Sequence, residues 1–196
     1  FIPITVGGGI RTIDDIKGIL RAGADKIILN SAAVRNPSII KEASQIFGSS
    51  TITIAIEAIK QSNGKYFVFT DNGREETGIE VKSWARRVQG LGAGEIVITS
   101  VDQDGTGNGY DLELIKLISK NISIPLIVHG GASTNENIKA SIELGADAIA
   151  VASIFHYEAI KKVNLPLNIN EEGNTSFIKS GKIFSKINPT KINSIK

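Results

Sequence analysis

Residues 6–31 read VGGGIRTIDDIKGILRAGADKIILNS, and residues 128–153 read VHGGASTNENIKASIELGADAIAVAS. The two stretches align without a gap at a shift of 130 − 8 = 122 positions. Gly8-Gly9 falls on Gly130-Gly131, Thr12 on Thr134, Ile16-Lys17 on Ile138-Lys139, Gly23-Ala24-Asp25 on Gly145-Ala146-Asp147, and Ser31 on Ser153. Each stretch is an apolar run, a Gly turn, an amphipathic helix with a Thr start signal, a Gly stop and a second apolar run, which is one strand–helix–strand unit. A unit that recurs in this way predicts a two-fold pseudosymmetric (β/α)₈ barrel whose halves each offer an equivalent ligand turn. A doubly wound sheet, the other fold built from such units, gives no reason for the repeat.

The rest of the chain follows the same alternation. Short runs rich in Ile and Val predict parallel strands covered on both faces at Ile4–Val6, Lys26–Leu29, Thr51–Ile56, Glu95–Thr99, Pro125–Val128 and Ala148–Val151. Helix start signals stand at Thr12, Asn36-Pro37, Asp111 and Thr134. Lys65–Thr70 alternates with period two after the turn signal Ser62-Asn63-Gly64, which predicts a small hairpin in the loop after the third run. Residues 164–186, rich in Asn, Lys and Ser, read as a surface insertion or a poorly ordered segment, and Asn188-Pro189 reads as a helix start.

Composition narrows the function classes. With 196 residues and 41% hydrophobic content the chain suits one core, hence a single domain over 1–196. Lys and Arg number 22 against 20 Asp and Glu, a formal charge of +2, which argues against nucleic acid or an anionic membrane as the main partner. The absence of Cys excludes disulfides and thiolate zinc sites, and His129 and His156 are too far apart for a local ligand motif, so no metal is expected. The longest apolar stretches fall well short of the roughly 20 residues of a membrane span, and no signal region opens the chain, which points to the cytoplasm. Without an initiating Met, and with a strand pattern from the outset, the chain reads as a fragment.

In a barrel of this kind the active face collects the carboxyl ends of the strands. There the sequence places Gly7-Gly8-Gly9, Asn30-Ser31, Glu57, Thr99 to Gly105, His129-Gly130-Gly131 and Ala152-Ser153. Glycine lets backbone N–H groups approach an anion, and the following helix adds a favourable dipole, so the turns at Gly8-Gly9 and Gly130-Gly131 suit phosphate. The plain alternative for either is a tight turn. Glu57, after an apolar run, is the natural acid or base. Asp102 and Asp104 lie in a Gly-rich loop; Asp102 reads as a turn former and backbone cap, and His129 takes no catalytic role. At the amino ends, Asp25, Lys26 and Glu95 read from the residues alone as stabilising or solvating charges.

The motifs Thr5-Val6-Gly7-Gly8-Gly9-Ile10-Arg11, Gly23-Ala24-Asp25-Lys26, Asn30-Ser31-Ala32-Ala33-Val34, Gly92-Ala93-Gly94-Glu95-Ile96, Asp104-Gly105-Thr106 with Gly109-Tyr110-Asp111, and Gly130-Gly131-Ala132 together resemble the cyclase subunits (HisF-type) of imidazole glycerol phosphate synthase. The resemblance runs from Phe1 to about Tyr157. It implies an α/β fold, the (β/α)₈ TIM barrel, incomplete here with about six of eight βα units. It also implies a lyase-type cyclase of histidine biosynthesis without a cofactor, forming a heterodimer with a glutaminase (HisH-type) subunit that supplies ammonia. The implied substrate is the bis-phosphorylated ribulosyl-formimino aminoimidazole carboxamide ribonucleotide, and the products are imidazole glycerol phosphate and the aminoimidazole carboxamide ribonucleotide.

Carried over position by position, Gly9, Asn30 and Ser31 match one phosphate site, and Gly105, Gly131, Ala152 and Ser153 match the other, with Asp104 and Gly130 beside them. Lys26 and Glu95 match the charged gate through which ammonia enters, Asp25 a residue facing the glutaminase, and Thr99 a polar residue lining the active site. Two departures stand out. Glu57 occupies the position of the family's second catalytic aspartate, and the first-strand aspartate has no counterpart, so the chain by itself is expected to be inactive. Glu57 keeps two other readings open: a paralogous ammonia-channelling barrel for sugar amidation, and a non-catalytic barrel that docks a glutaminase.

Overall fold

The computed structural model describes residues 2–162 and 191. In chain order its elements are β1 (Thr5–Gly7), α1 (Ile13–Arg21), β2 (Lys26–Leu29), α2 (Ser31–Arg35), α3 (Ser38–Phe47), β3 (Ile52–Lys60), β4 (Tyr66–Thr70), β5 (Glu75–Glu80), α4 (Val81–Gly90), β6 (Glu95–Ser100), α5 (Leu112–Ser119), β7 (Leu126–His129), α6 (Asn135–Glu143), β8 (Ala148–Ile149) and α7 (Ser153–Lys162). The parallel strands lie in the order β1-β2-β3-β6-β7-β8, each joined to the next through at least one helix. The order never reverses along the sheet. That is the winding of a (β/α) barrel and not of a doubly wound sheet, and it forms an incomplete barrel with β1 and β8 at its two edges.

Side-chain alternation sets the two faces. Ile27, Leu29, Ile52, Ile54, Ile56, Ile96, Ile98, Leu126 and Val128 are buried between the sheet and its helices. The intervening residues Ile28, Ala55, Glu57, Val97, Thr99, Ile127 and His129 turn to the opposite, concave face and are only half-buried. The core therefore lies outside the concave face, and the chemistry lines it.

The repeat read in the sequence is also a repeat of structure. Helices α1 and α6 begin and end 122 positions apart, at 13 and 135 and at 21 and 143. Thr12 and Thr134 cap them with nearly identical backbone angles, φ −131° and −133°, each accepting from the N–H three residues on. Asp25 Oδ2 accepts the Ile4 N–H at 2.8 Å and Asp147 Oδ2 accepts the Leu126 N–H at 2.8 Å. These seams, too, are 122 apart at both ends, so each unit is closed by the same side-chain clasp.

Four elements differ from the sequence reading. Helix α4 had no start signal because its N-cap, Glu80, makes no side-chain cap bond; Val81, Trp84, Ala85 and Val88 hold it by burying one face. Strand β3 runs four residues past Ile56 because β4 pairs with it antiparallel, Glu57 opposite Phe69 through Lys60 opposite Tyr66. The hairpin expected near Lys65–Thr70 is thus a three-stranded ribbon, with β5 on its far side. Ser31–Arg35, which follows the second strand and for which the sequence reading has no element, forms the short helix α2. Residues 164–186 and the helix start at Asn188-Pro189 lie outside the described residues. No helix among the described residues is long and apolar enough to cross a membrane.

Candidate functional site

A cleft of about 620 Å³ opens at the carboxyl ends of β1, β2 and β3. Gly8 and Gly9, Asn30 and Ser31, and Glu57 all line it. Glu57 is fixed from two sides: Asn30 Nδ2 donates to Oε1 at 2.7 Å and the Gly73 N–H donates to Oε2 at 2.7 Å. Donors on both oxygens set the orientation of the carboxylate. The Asn30 Oδ1, by contrast, is buried without a partner.

Strand register carries Glu57 toward the second half. Glu57 lies beside Thr99 on β6, and Thr99 beside His129 on β7. The three residues form one rung across the concave face, and Thr99 Oγ1 is 3.3 Å from His129 Nδ1. Beyond His129 a small cavity of about 10 Å³ is lined by Asp104, Gly105, Gly130, Gly131, Ala152 and Ser153. It has room for about one water, where the first cleft has room for a ligand.

The two Gly turns share positive φ at both glycines and differ in surroundings. Gly9 and Gly131 both have positive φ, 71° and 93°. A Cβ on Gly9 would meet nothing within 4 Å, whereas one on Gly131 would lie 2.2 Å from the Gly109 carbonyl oxygen. The loop between β6 and α5 closes on the second turn, and the Gly109 N–H bonds the Gly131 oxygen at 2.8 Å. Asp102, in the same loop, accepts the Lys60 N–H at the end of β3 at 2.8 Å, a backbone bond across elements where its sequence context suggested a local cap.

At the opposite ends of the strands Lys26 Nζ lies 2.5 Å from Glu95 Oε2, and Thr53 Oγ1 donates to Glu95 Oε1 at 2.5 Å. Glu95 is 9% exposed, so its charge is compensated by an ammonium and a hydroxyl inside the amino-end mouth. The structure thus gathers Lys26 and Glu95 at one end of the sheet and Gly9, Asn30, Ser31, Glu57 and Thr99 at the other, with Asp25 engaged by the backbone of Ile4.

Residues beyond the sequence reading complete the first cleft. Arg35, at the end of α2, reaches Asp71 at the tip of the β4–β5 hairpin, Nη2 to Oδ2 2.9 Å, and both line the cleft. The tip also delivers the Gly73 N–H to Glu57. The signal for it, Asp71-Asn72-Gly73, is a turn triplet like the Ser62-Asn63-Gly64 that was read, but its contact with the site depends on β3 extending beyond Ile56.

The sequence profile of the histidine biosynthesis protein family matches residues 1–161. Imidazole glycerol phosphate synthase subunit HisF from Alkaliphilus metalliredigens is 49% identical over 172 residues, covering 87% of this chain and 68% of that protein. The protein of the same name from Endomicrobium trichonymphae is 49% identical over 176 residues, with 85% and 68% covered. That from Lachnoclostridium phytofermentans is 51% identical over 163 residues, with 82% and 63% covered. The chain spans about two thirds of the length of these curated relatives.

Proposed function

The chain belongs to the histidine biosynthesis protein family, and from that premise and the geometry of its concave face we infer that it serves as the cyclase subunit of imidazole glycerol phosphate synthase. The observation that carries the inference is the rung Glu57–Thr99–His129, which sets a two-point-held carboxylate between two Gly turns that both run at positive φ. A substrate with a phosphate at each end, anchored at Gly9 with Ser31 and, once the loop between β6 and α5 opens, at Gly131 with Ser153, would span this rung and bring its reacting centre to Glu57. Tethering at both ends holds that centre near the base and replaces a bimolecular encounter by a positioned one.

On this reading Glu57 moves protons while ammonia adds to the ketose carbonyl, the formimino link is broken and the imidazole ring closes, a lyase-type reaction. Thr99 orients His129 and the substrate on the same rung. Lys26, Glu95 and Thr53 admit ammonia from a glutaminase partner at the amino-end mouth, beside Asp25. The activity belongs to the cytoplasmic subunit working with that partner.

The glutamate in place of aspartate at position 57 favours a second reading, an ammonia-channelling barrel that amidates a sugar. Ammonia supplied directly to the complete subunit, with its bis-phosphorylated substrate, separates the readings. Imidazole glycerol phosphate among the products supports the cyclase, and its absence favours the sugar-amidating or purely docking barrel.

A further inference from the structure

Asp71 places a carboxylate inside the cleft whose glycines and serine suit an anion. Its Oδ2 is 2.9 Å from Arg35 Nη2, and Ser31 Oγ donates toward its Oδ1 at 3.5 Å. Glu75 Oε2 stands 3.7 Å from the same Arg35 nitrogen. Arg35 and Ser31 line the cleft with Gly8, Gly9 and Arg11, so one of its two arginines and its serine are occupied by an anion of the protein itself.

The tip that carries Asp71 is also the tip that holds Glu57. Asp71, Asn72 and Gly73 have φ of 54°, 61° and 74°, a left-handed run closed by the Arg74 N–H on the Thr70 carbonyl at 3.1 Å. This run sends the Asp71 carboxylate to Arg35 and the Gly73 N–H to Glu57 Oε2. Position 73 accepts no side chain: besides its φ, a Cβ there would lie 2.8 Å from Val101 Cγ1. The tip is therefore seated on Val101 at one end and moored to Arg35 at the other.

We propose that Asp71 is a resident anion that holds Arg35 and Ser31 until a phosphate group displaces it, and that the hairpin tip transmits the exchange to Glu57 through Gly73. The proposal rests on the phosphate reading of the Gly8-Gly9 cleft and deepens it. The Arg35–Asp71 pair is open to solvent on both sides, 60% and 43% exposed, and such pairs are weak. A phosphate group carries about −1.5 to −2 charges and accepts the guanidinium fork at two oxygens, so it wins the competition. Once Arg35 turns to the phosphate, the tip loses its mooring, the Gly73 N–H withdraws, and Glu57 Oε2 is freed to accept a substrate proton. Asp71 and Arg35 are positioning residues in this scheme: the base is exposed only when the phosphate end of the substrate is seated.

The test is a titration of the complete subunit with inorganic phosphate, followed by backbone amide NMR in the wild type and in Asp71→Asn. Asparagine tolerates the left-handed turn and removes only the charge. The phosphate midpoint at the Gly9 and Ser31 amides should tighten about 3- to 5-fold in Asp71→Asn, the scale of an exposed ion pair, while the midpoints at Gly131 and Ser153 stay unchanged. In the wild type the Gly73 amide should shift at the same phosphate concentration as Gly9. An unchanged or weaker midpoint at Gly9 in the variant, or a Gly73 amide indifferent to phosphate, overturns the proposal. No turnover is involved, so the two ideas fail separately. A wild type that shows the exchange but makes no imidazole glycerol phosphate sinks the cyclase reading alone, and one that makes it with an unresponsive Gly73 sinks the latch alone.

Discussion

Replacing Glu57 by Gln should abolish most cyclase activity while leaving the fold almost untouched, and the structure explains why both halves of that statement hold. The two donors at Glu57, Asn30 Nδ2 and the Gly73 N–H, each lie 2.7 Å from a carboxylate oxygen. A glutamine keeps one oxygen for Gly73 and turns an NH₂ toward Asn30. Asn30 has a buried, unpartnered Oδ1, so rotating its amide presents an acceptor to the new NH₂. Both bonds survive in neutral form, and the cost is the difference between charge-assisted and neutral bonds, about 1 kcal/mol. A proton-transfer group has nevertheless been removed, which is worth roughly 10²- to 10⁴-fold in turnover.

Glu57→Asp provides the complementary case. It retracts the carboxylate by about 1.5 Å, one C–C bond, which takes at least one of its two hydrogen bonds out of range. Asn30 or Gly73 is left unpartnered at about 1–3 kcal/mol, and turnover falls roughly 10²-fold from misplacement even though the chemistry is retained. The assay is kcat for ammonia-dependent cyclisation by the complete subunit, with urea unfolding run on the same samples. Near-normal turnover in Glu57→Gln, or an aspartate variant that outperforms the parent, would refute the assignment of Glu57 as the base.

Lys26→Ala leaves Glu95 with Thr53 alone at the amino-end mouth, so glutamine-dependent turnover should fall far more than ammonia-dependent turnover; equal losses would remove the gate reading. The two Gly turns should respond unequally to alanine. Gly9→Ala meets open space and bears only the left-handed strain of about 1–2 kcal/mol. Gly131→Ala adds a clash with the Gly109 carbonyl and should cost roughly 3 kcal/mol or more in urea unfolding, so similar losses at both positions would contradict the described packing.

The barrel winding was legible because periodicity and repeat are local properties. The 122-residue repeat, read from Gly, Thr and Asp positions, reappears as matching helix ends, caps and clasps. The site was legible in outline, since strand ends can be located from apolar runs: Asn30, Ser31, Glu57 and Gly9 do share one cleft. What escaped depends on tertiary contact. Helix α4 begins at Val81, after an N-cap Glu80 that makes no capping bond, and is held by burial of Trp84 and its neighbours, which no start signal announces. Arg35 and Asp71 lie 36 residues apart and meet only because β4 and β5 fold back along an extended β3. Asp25 could be read as a stabilising charge or a partner-facing one, and only the Ile4 N–H shows where its carboxylate is engaged.

The paired clasps at Asp25 and Asp147 bear on how such a chain can be rearranged. Segments 4–25 and 126–147 each start with a backbone N–H and end with the aspartate that binds it, so neither relies on a neighbour to close. Exchange of one segment for the other would carry its own cap, stop and clasp along with it, and the cut ends would meet strands of the same spacing and direction. In terms of gene recombination the seams mark a natural crossover point: an interchangeable cassette whose boundaries are closed by hydrogen bonds internal to the piece being moved, leaving its ligand turn free to diverge.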